Sequence, residues 1–117
     1  MDQQEARRRL EELQSDLDRT LATLEAEDAG ATTELSHVDN HPADTSGELQ
    51  EGDRQVAVME NAASQREQVL AALARLDDGT YGRCVDCGQE LDEARLDARP
   101  EAARCLADQQ RWESERV

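Results

Sequence analysis

Three cysteines and one aspartate are the residues of this sequence best suited to chemistry. Cys84 and Cys87 form a Cys-x-x-Cys pair followed by Gly88; Cys105 stands where a second pair would begin, and Asp108 takes the place of its partner. Two thiolates at that spacing converge on one ion, and a small residue after them lets backbone amides turn toward sulfur. Seventeen residues separate Cys87 from Cys105, inside the range of a Cys-x2-Cys-x15–20-Cys-x2-Cys zinc site. A carboxylate binds zinc at about 2.0–2.2 Å, so Asp108, three positions beyond Cys105, can act as an oxygen ligand on the same face of a helix. Zinc is borderline soft, and such a site is weaker and more labile than four thiolates.

The same residues admit blander readings. Cys105 can be a small buried hydrophobe and Asp108 a solvated helix residue, which leaves Cys84 and Cys87 as a dithiol. A redox enzyme built on that dithiol needs a βαβ setting, and the chain offers no convincing strand. An odd cysteine count with two in Cys-x-x-Cys argues for metal or redox chemistry over a disulfide framework.

The elements that must position these residues are helical. At 117 residues, with no Phe, one Tyr and one Trp, the chain cannot build a thick aromatic core and must bury apolar surface in thin seams. From Gln3 to about Glu27, Leu10, Leu13, Leu17, Leu21 and Leu24 recur at intervals of 3 and 4, an a/d seam. The stretch 28–48 carries Gly30, Pro42, Gly47 and many Asp, Asn, Ser and Thr, and predicts a break. From about Glu48 to Asp77 the periodicity returns through Leu49, Val56, Met59, Ala63, Leu70 and Leu73, with Gly52 and Arg66 as weak positions. The expected architecture is all-α: a long antiparallel coiled-coil hairpin over 1–78 with its tip at about 34–46, then a small zinc-finger head with a C-terminal helix over 79–117. Gly79 is the expected C′ residue of the second helix, and Pro100 with Glu101 is expected to open the last helix, ending near Glu113 and carrying Trp112 against the base of the hairpin.

Charge narrows the partners. A formal net charge of −15 disfavours DNA, RNA and anionic lipid and favours a basic protein surface. There is no apolar run of membrane-spanning length and no apolar h-region after the first charges, so a cytoplasmic protein is expected; separately, a non-enzymatic protein and a monomer are expected.

The order of a Leu-rich helix, a polar tip, a second helix, "YGRCVDCG", "RLDARPEAARC" and a closing helix resembles the DksA/TraR zinc-finger family of bacterial RNA polymerase regulators over about residues 5–112. "ELSHVDNHPAD" at 34–44 is similar to the tip of a subgroup of that family. The resemblance implies that the hairpin enters the secondary channel of RNA polymerase and presents its tip near the catalytic centre, changing open-complex stability without contacting DNA. It also implies that Asp44 falls on the second of two tip aspartates on which members depend. The first of these is His41 here, and the small apolar position two residues after the second is Ser46. Asp44 is equally suited to cap the second helix. His37, Asp39, His41 and Asp44 lack a partner helix to complete a metal shell, and a solvated tip is expected. Members that respond to ppGpp use basic residues on the second helix and head; 48–77 offers only Arg54, Arg66 and Arg75, which does not support such a response.

Overall fold

The computed structural model describes the backbone of residues 1–35 and 42–115, and the side chains of 1–27 and 53–115. Four helices follow in order: α1 (Gln3–Leu35), α2 (Pro42–Asp78), α3 (Glu93–Ala98) and α4 (Leu106–Glu115). Among the described residues there is no strand, and one isolated antiparallel bridge joins Arg83 and Glu90. The fold is all-α, as expected.

Two compact units form, Met1–Gln14 with Glu67–Val117, and Ser15–Arg66. The base of both long helices thus belongs with the module that begins at Gly79. In the first unit Arg7 reaches Asp77 at 2.7 Å, and in the second Arg66 is paired with Asp18. In each unit a stretch of α1 is thus paired with a stretch of α2. The two long helices are consistent with the expected coiled-coil hairpin. Both ion pairs are largely solvated, and each contributes at most about 1 kcal/mol, so they mark the register more than they stabilise it.

Burial does the stabilising. On α1, Leu10 and Leu17 are buried and Leu13, Leu21 and Leu24 half-buried, which is the leucine seam read from the sequence, extended back to Ala6. A fully buried Leu or Val contributes about 1.5–3 kcal/mol. On α2 the seam differs from the expected frame. Val56 and Leu70 are 51% and 38% exposed and Ala63 is exposed, while Ala62, Val69, Ala72 and Leu76 are buried. The seam runs through Met59, Ala62, Arg66, Val69, Leu73 and Leu76. It shares Met59, Arg66 and Leu73 with the expected frame and takes the residues three positions after each in place of those three before. Bulk misleads here: both tracks keep the spacing of 3 and 4, and the larger Val56 and Leu70 favour the first, yet the buried residues lie on the second.

The helices also extend further into the turn-rich stretch than its composition predicts. α1 continues past Gly30 to Leu35, and α2 begins at Pro42 and runs through Gly47 and Gly52. A glycine inside a helix costs only about 1 kcal/mol, and proline is tolerated in the first turn.

At its other end α2 stops as expected. The Gly79 amide donates to the Leu76 carbonyl at 3.3 Å and the Thr80 amide to the Arg75 carbonyl at 2.9 Å, the paired bonds of a Schellman cap. Gly79 has φ of 78°, a conformation that only glycine adopts without strain.

Pro100 does not open the last helix. Residues 99–105 form turns and α4 starts only at Leu106. The Pro100 carbonyl accepts the Tyr81 hydroxyl at 2.8 Å, and Ala102 is buried in a small head cluster with Cys84, Leu91 and Leu96, against which Met1, Tyr81 and Cys105 pack. The segment's contacts are spent on the head, not on a helical turn.

Candidate metal centre

A short reversal of the chain presents the first two cysteines. The Cys84 amide donates to Gln89 O at 2.8 Å, Leu91 N to Gly82 O at 2.8 Å, and Gly88 N back to Cys84 O at 2.9 Å. Gly88 has φ of 77°, and closing this turn needs a residue free to enter the left-handed region. The Val85 amide donates to Ala103 O at 2.9 Å and lays this knuckle beside the segment leading to Cys105. Cys105 immediately precedes α4, its carbonyl accepting the Gln109 amide at 2.8 Å, and Asp108 lies in the first turn, where an acidic residue also suits the helix dipole.

The structure brings Cys84, Cys87, Cys105 and Asp108 together. Their ligand atoms all lie within 4.8 Å of one another. Asp108 Oδ2 is 3.1 Å from Cys84 Sγ and 3.3 Å from Cys105 Sγ, while Cys87 Sγ and Cys105 Sγ are 4.0 Å apart. A tetrahedral ion with sulfur at about 2.3 Å and oxygen at about 2.0 Å has edges of about 3.5–3.8 Å, so these separations suit one zinc ion after small adjustment. Cys84 and Asp108 are buried, Cys105 is half-buried and Cys87 exposed, and no cysteine is in a disulfide.

Electrostatics favour the deprotonated ligands unequally. Burial pushes the Cys84 thiol up, but the amides of Cys105, Cys87 and Asp86 outweigh it and hold Cys84 below the usual thiol range. The Gln89 amide favours the Cys87 thiolate, yet Cys84, desolvation, Asp108 and Cys105 together push Cys87 up to about 11. Hydrogen bonds from Cys84, Cys105 and Cys87 hold the Asp108 carboxyl below its usual range. With no positive charge among them, the four donors accumulate negative charge that a divalent cation would neutralise.

Around the donors lies a layer that the spacing argument passed over. Arg104 Nε donates to Asp86 Oδ2 at 2.8 Å, its guanidinium lies 4.9 Å from the centroid of the Trp112 ring, and its carbonyl accepts Arg95 Nε at 2.8 Å. Arg111 Nη1 approaches Asp108 Oδ1 at 3.8 Å. The available signal was position: Asp86 sits between the paired cysteines and Arg104 directly before the third.

The tip residues stand differently. His41 lies outside the described residues, and Asp44 and Ser46 fall in α2 with side chains outside them. No described helix is long and apolar enough to cross a membrane.

Two long helices, a cysteine knuckle and a closing helix define the class: a helical protein with a zinc-finger head. Residues 79–111 match the family model described as prokaryotic dksA/traR C4-type zinc finger. The fold is similar to that of the transcription factor DksA2 from Pseudomonas aeruginosa, with a TM-score of 0.52 and 26% identity, covering 92% of this chain and 84% of that one. The RNA polymerase-binding transcription factor DksA of Caulobacter vibrioides is 45% identical over 42 residues, 36% of this chain and 30% of that protein. General stress protein 16O of Bacillus subtilis is 41% identical over 70 residues, 59% of this chain and 43% of that protein. The matches span less than half the length of these curated relatives. The segment 79–111 is thus similar to the dksA/traR C4-type zinc finger, with Asp108 in place of the fourth cysteine of the C4 pattern.

Proposed function

We propose that this protein is a non-enzymatic transcription regulator that binds RNA polymerase, inserting the α1–α2 hairpin into the secondary channel and acting through the carboxylate of Asp44 without touching DNA. The observation that carries the reading is the fold: the DksA2 likeness extends over 92% of the chain, through both long helices as well as the knuckle. A net charge of −15 agrees with a basic protein surface as target and disfavours direct nucleic-acid binding. The protein would work as a monomer in the cytoplasm. Cys84, Cys87, Cys105 and Asp108 would hold one zinc ion, whose chemistry is structural: it would cross-link the knuckle to the start of α4.

Substitutions at Asp44 test the mechanism. The sequence also suited Asp44 to cap the second helix, but α2 begins at Pro42 and places Asp44 in its first turn, where asparagine keeps the shape of the side chain and removes its charge. In a promoter assay with purified polymerase, Asp44→Asn is expected to abolish the effect while leaving binding largely intact. Wild-type activity in Asp44→Asn would refute the tip mechanism and leave Asp44 a first-turn residue of α2. His41→Asp, which adds a second charge beside Asp44, is expected to strengthen the effect.

A second reading is favoured by one contact. Cys87 is exposed and its sulfur lies 4.0 Å from that of Cys105, so a two-electron oxidant such as a peroxide, itself reduced to water or an alcohol, would join the two thiolates as a disulfide and release the metal, making the head a zinc or thiol sensor. Zinc content before and after mild oxidant tests it, and full retention would remove it. A helical adaptor for some other protein would keep the fold but fail to co-purify with polymerase.

A further inference from the structure

Arg104 is the point at which three parts of the head meet. Its Nε is bonded to Asp86 inside the Cys84–Cys87 loop, its guanidinium carbon lies 4.9 Å over the Trp112 ring on α4, and its carbonyl is held by Arg95 of α3. The side chain is only 22% exposed, so the ion pair is better shielded from solvent than those between α1 and α2. None of these contacts uses a metal-donor atom. A guanidinium can do both jobs at once, since its in-plane N–H meets a carboxylate while its face lies on an indole; an ammonium offers no such plane.

We propose that Arg104 is a positioning residue that holds the Cys84–Cys87 loop and the Cys105–Asp108 turn in register independently of any metal, so that the head is a preformed receiver for a divalent cation. The proposal rests on the reading of these four residues as a metal site. Small zinc modules that lack such ties fold only as the ion binds. Here the two halves of the donor set are joined by the Val85–Ala103 backbone bond, by the Arg104–Asp86 pair and by the cation–π contact of Arg104 with Trp112. Residues that orient metal ligands from outside typically change affinity by about 10–100-fold when removed.

The test uses two readouts on the full chain under reducing conditions: emission from Trp112, the chain's single tryptophan, and cobalt(II) binding followed by its visible absorption. Stripping wild-type protein with a chelator should leave the emission maximum unchanged. Arg104→Ala, stripped in the same way, should shift it to the red and bind cobalt about 10–100-fold more weakly. Asp86→Ala leaves the guanidinium free to stay on the indole, so it should keep the emission and still lose about 10-fold in cobalt affinity. Arg104→Lys should fall between wild type and Arg104→Ala in affinity but match Arg104→Ala in emission.

The proposal is overturned if stripping wild type alone shifts the emission, or if Arg104→Ala binds cobalt like wild type. Should Arg104→Ala fail to fold even when loaded, Asp86→Ala decides, and wild-type affinity there overturns the clamp. Wild-type protein that binds no cobalt would instead refute the metal site itself, and the red shift in Arg104→Ala would still report separately on the contacts of Arg104.

Discussion

Val69 and Leu70 are neighbours on α2 with opposite fates, and replacing each by alanine distinguishes the seam seen in the structure from the one suggested by residue size. Val69 is fully buried, whereas Leu70 is 38% exposed. Val69→Ala deletes two methyl groups from a closed site at about 0.8 kcal/mol each, and a cavity term adds to that. The better helix propensity of alanine returns about 0.5 kcal/mol. The net expected loss is about 1.5–2 kcal/mol. Leu70→Ala removes more atoms, but atoms already in contact with water, and should stay within about 0.5 kcal/mol of wild type. Thermal melts of metal-matched samples read the difference, since bound metal would itself raise the midpoint. For a chain of this size Val69→Ala should lower the midpoint by about 6–12 °C and Leu70→Ala by no more than about 3 °C. Equal losses, or a larger loss at Leu70, would refute the assignment of the seam.

The metal centre gives further expectations. Asp108→Cys should slow zinc loss to a chelator and Asp108→Ala should hasten it, as followed with a metal-sensitive dye; no change in either would show that Asp108 is not a ligand. Zinc occupancy should fall as pH falls, because the thiolates must be deprotonated to bind, and metal content after dialysis at stepped pH checks this. The sign follows from proton competition: acid protonates the donors, so occupancy that does not change with pH would contradict thiolate ligation. Within the head, Tyr81→Phe removes the hydroxyl that donates to Pro100 O and should cost about 1 kcal/mol in a urea melt.

How much of this was legible beforehand depends on whether the signal was local. Cys84, Cys87, Cys105 and Asp108 could be grouped from spacing alone, because a metal site imposes its geometry on short stretches of chain. The leucines of α1 marked its buried face, since nothing else large and apolar competes there. On α2 the buried track passes through Ala62 and Arg66 while Val56 and Leu70 face outward, so size pointed three residues the wrong way. Gly30, Gly47 and Gly52 suggested breaks, but single glycines are too cheap to stop helices of this length. Pro100 matched a helix start, yet a bond from Tyr81, nineteen residues earlier, uses its carbonyl in the head instead. The contacts of Arg104 with Asp86 and Trp112 were hidden for the same reason: charge pairing across eighteen residues leaves no periodic trace.

The most direct test of the functional account is binding of the purified, zinc-loaded protein to core RNA polymerase, measured with the polymerase immobilised and the protein titrated at moderate salt. The account predicts a saturable complex of one chain per polymerase that survives Asp44→Asn and weakens as salt screens the acidic surface. Absence of a saturable complex, with the protein folded and loaded, would contradict it and leave a protein of the same fold that serves another partner.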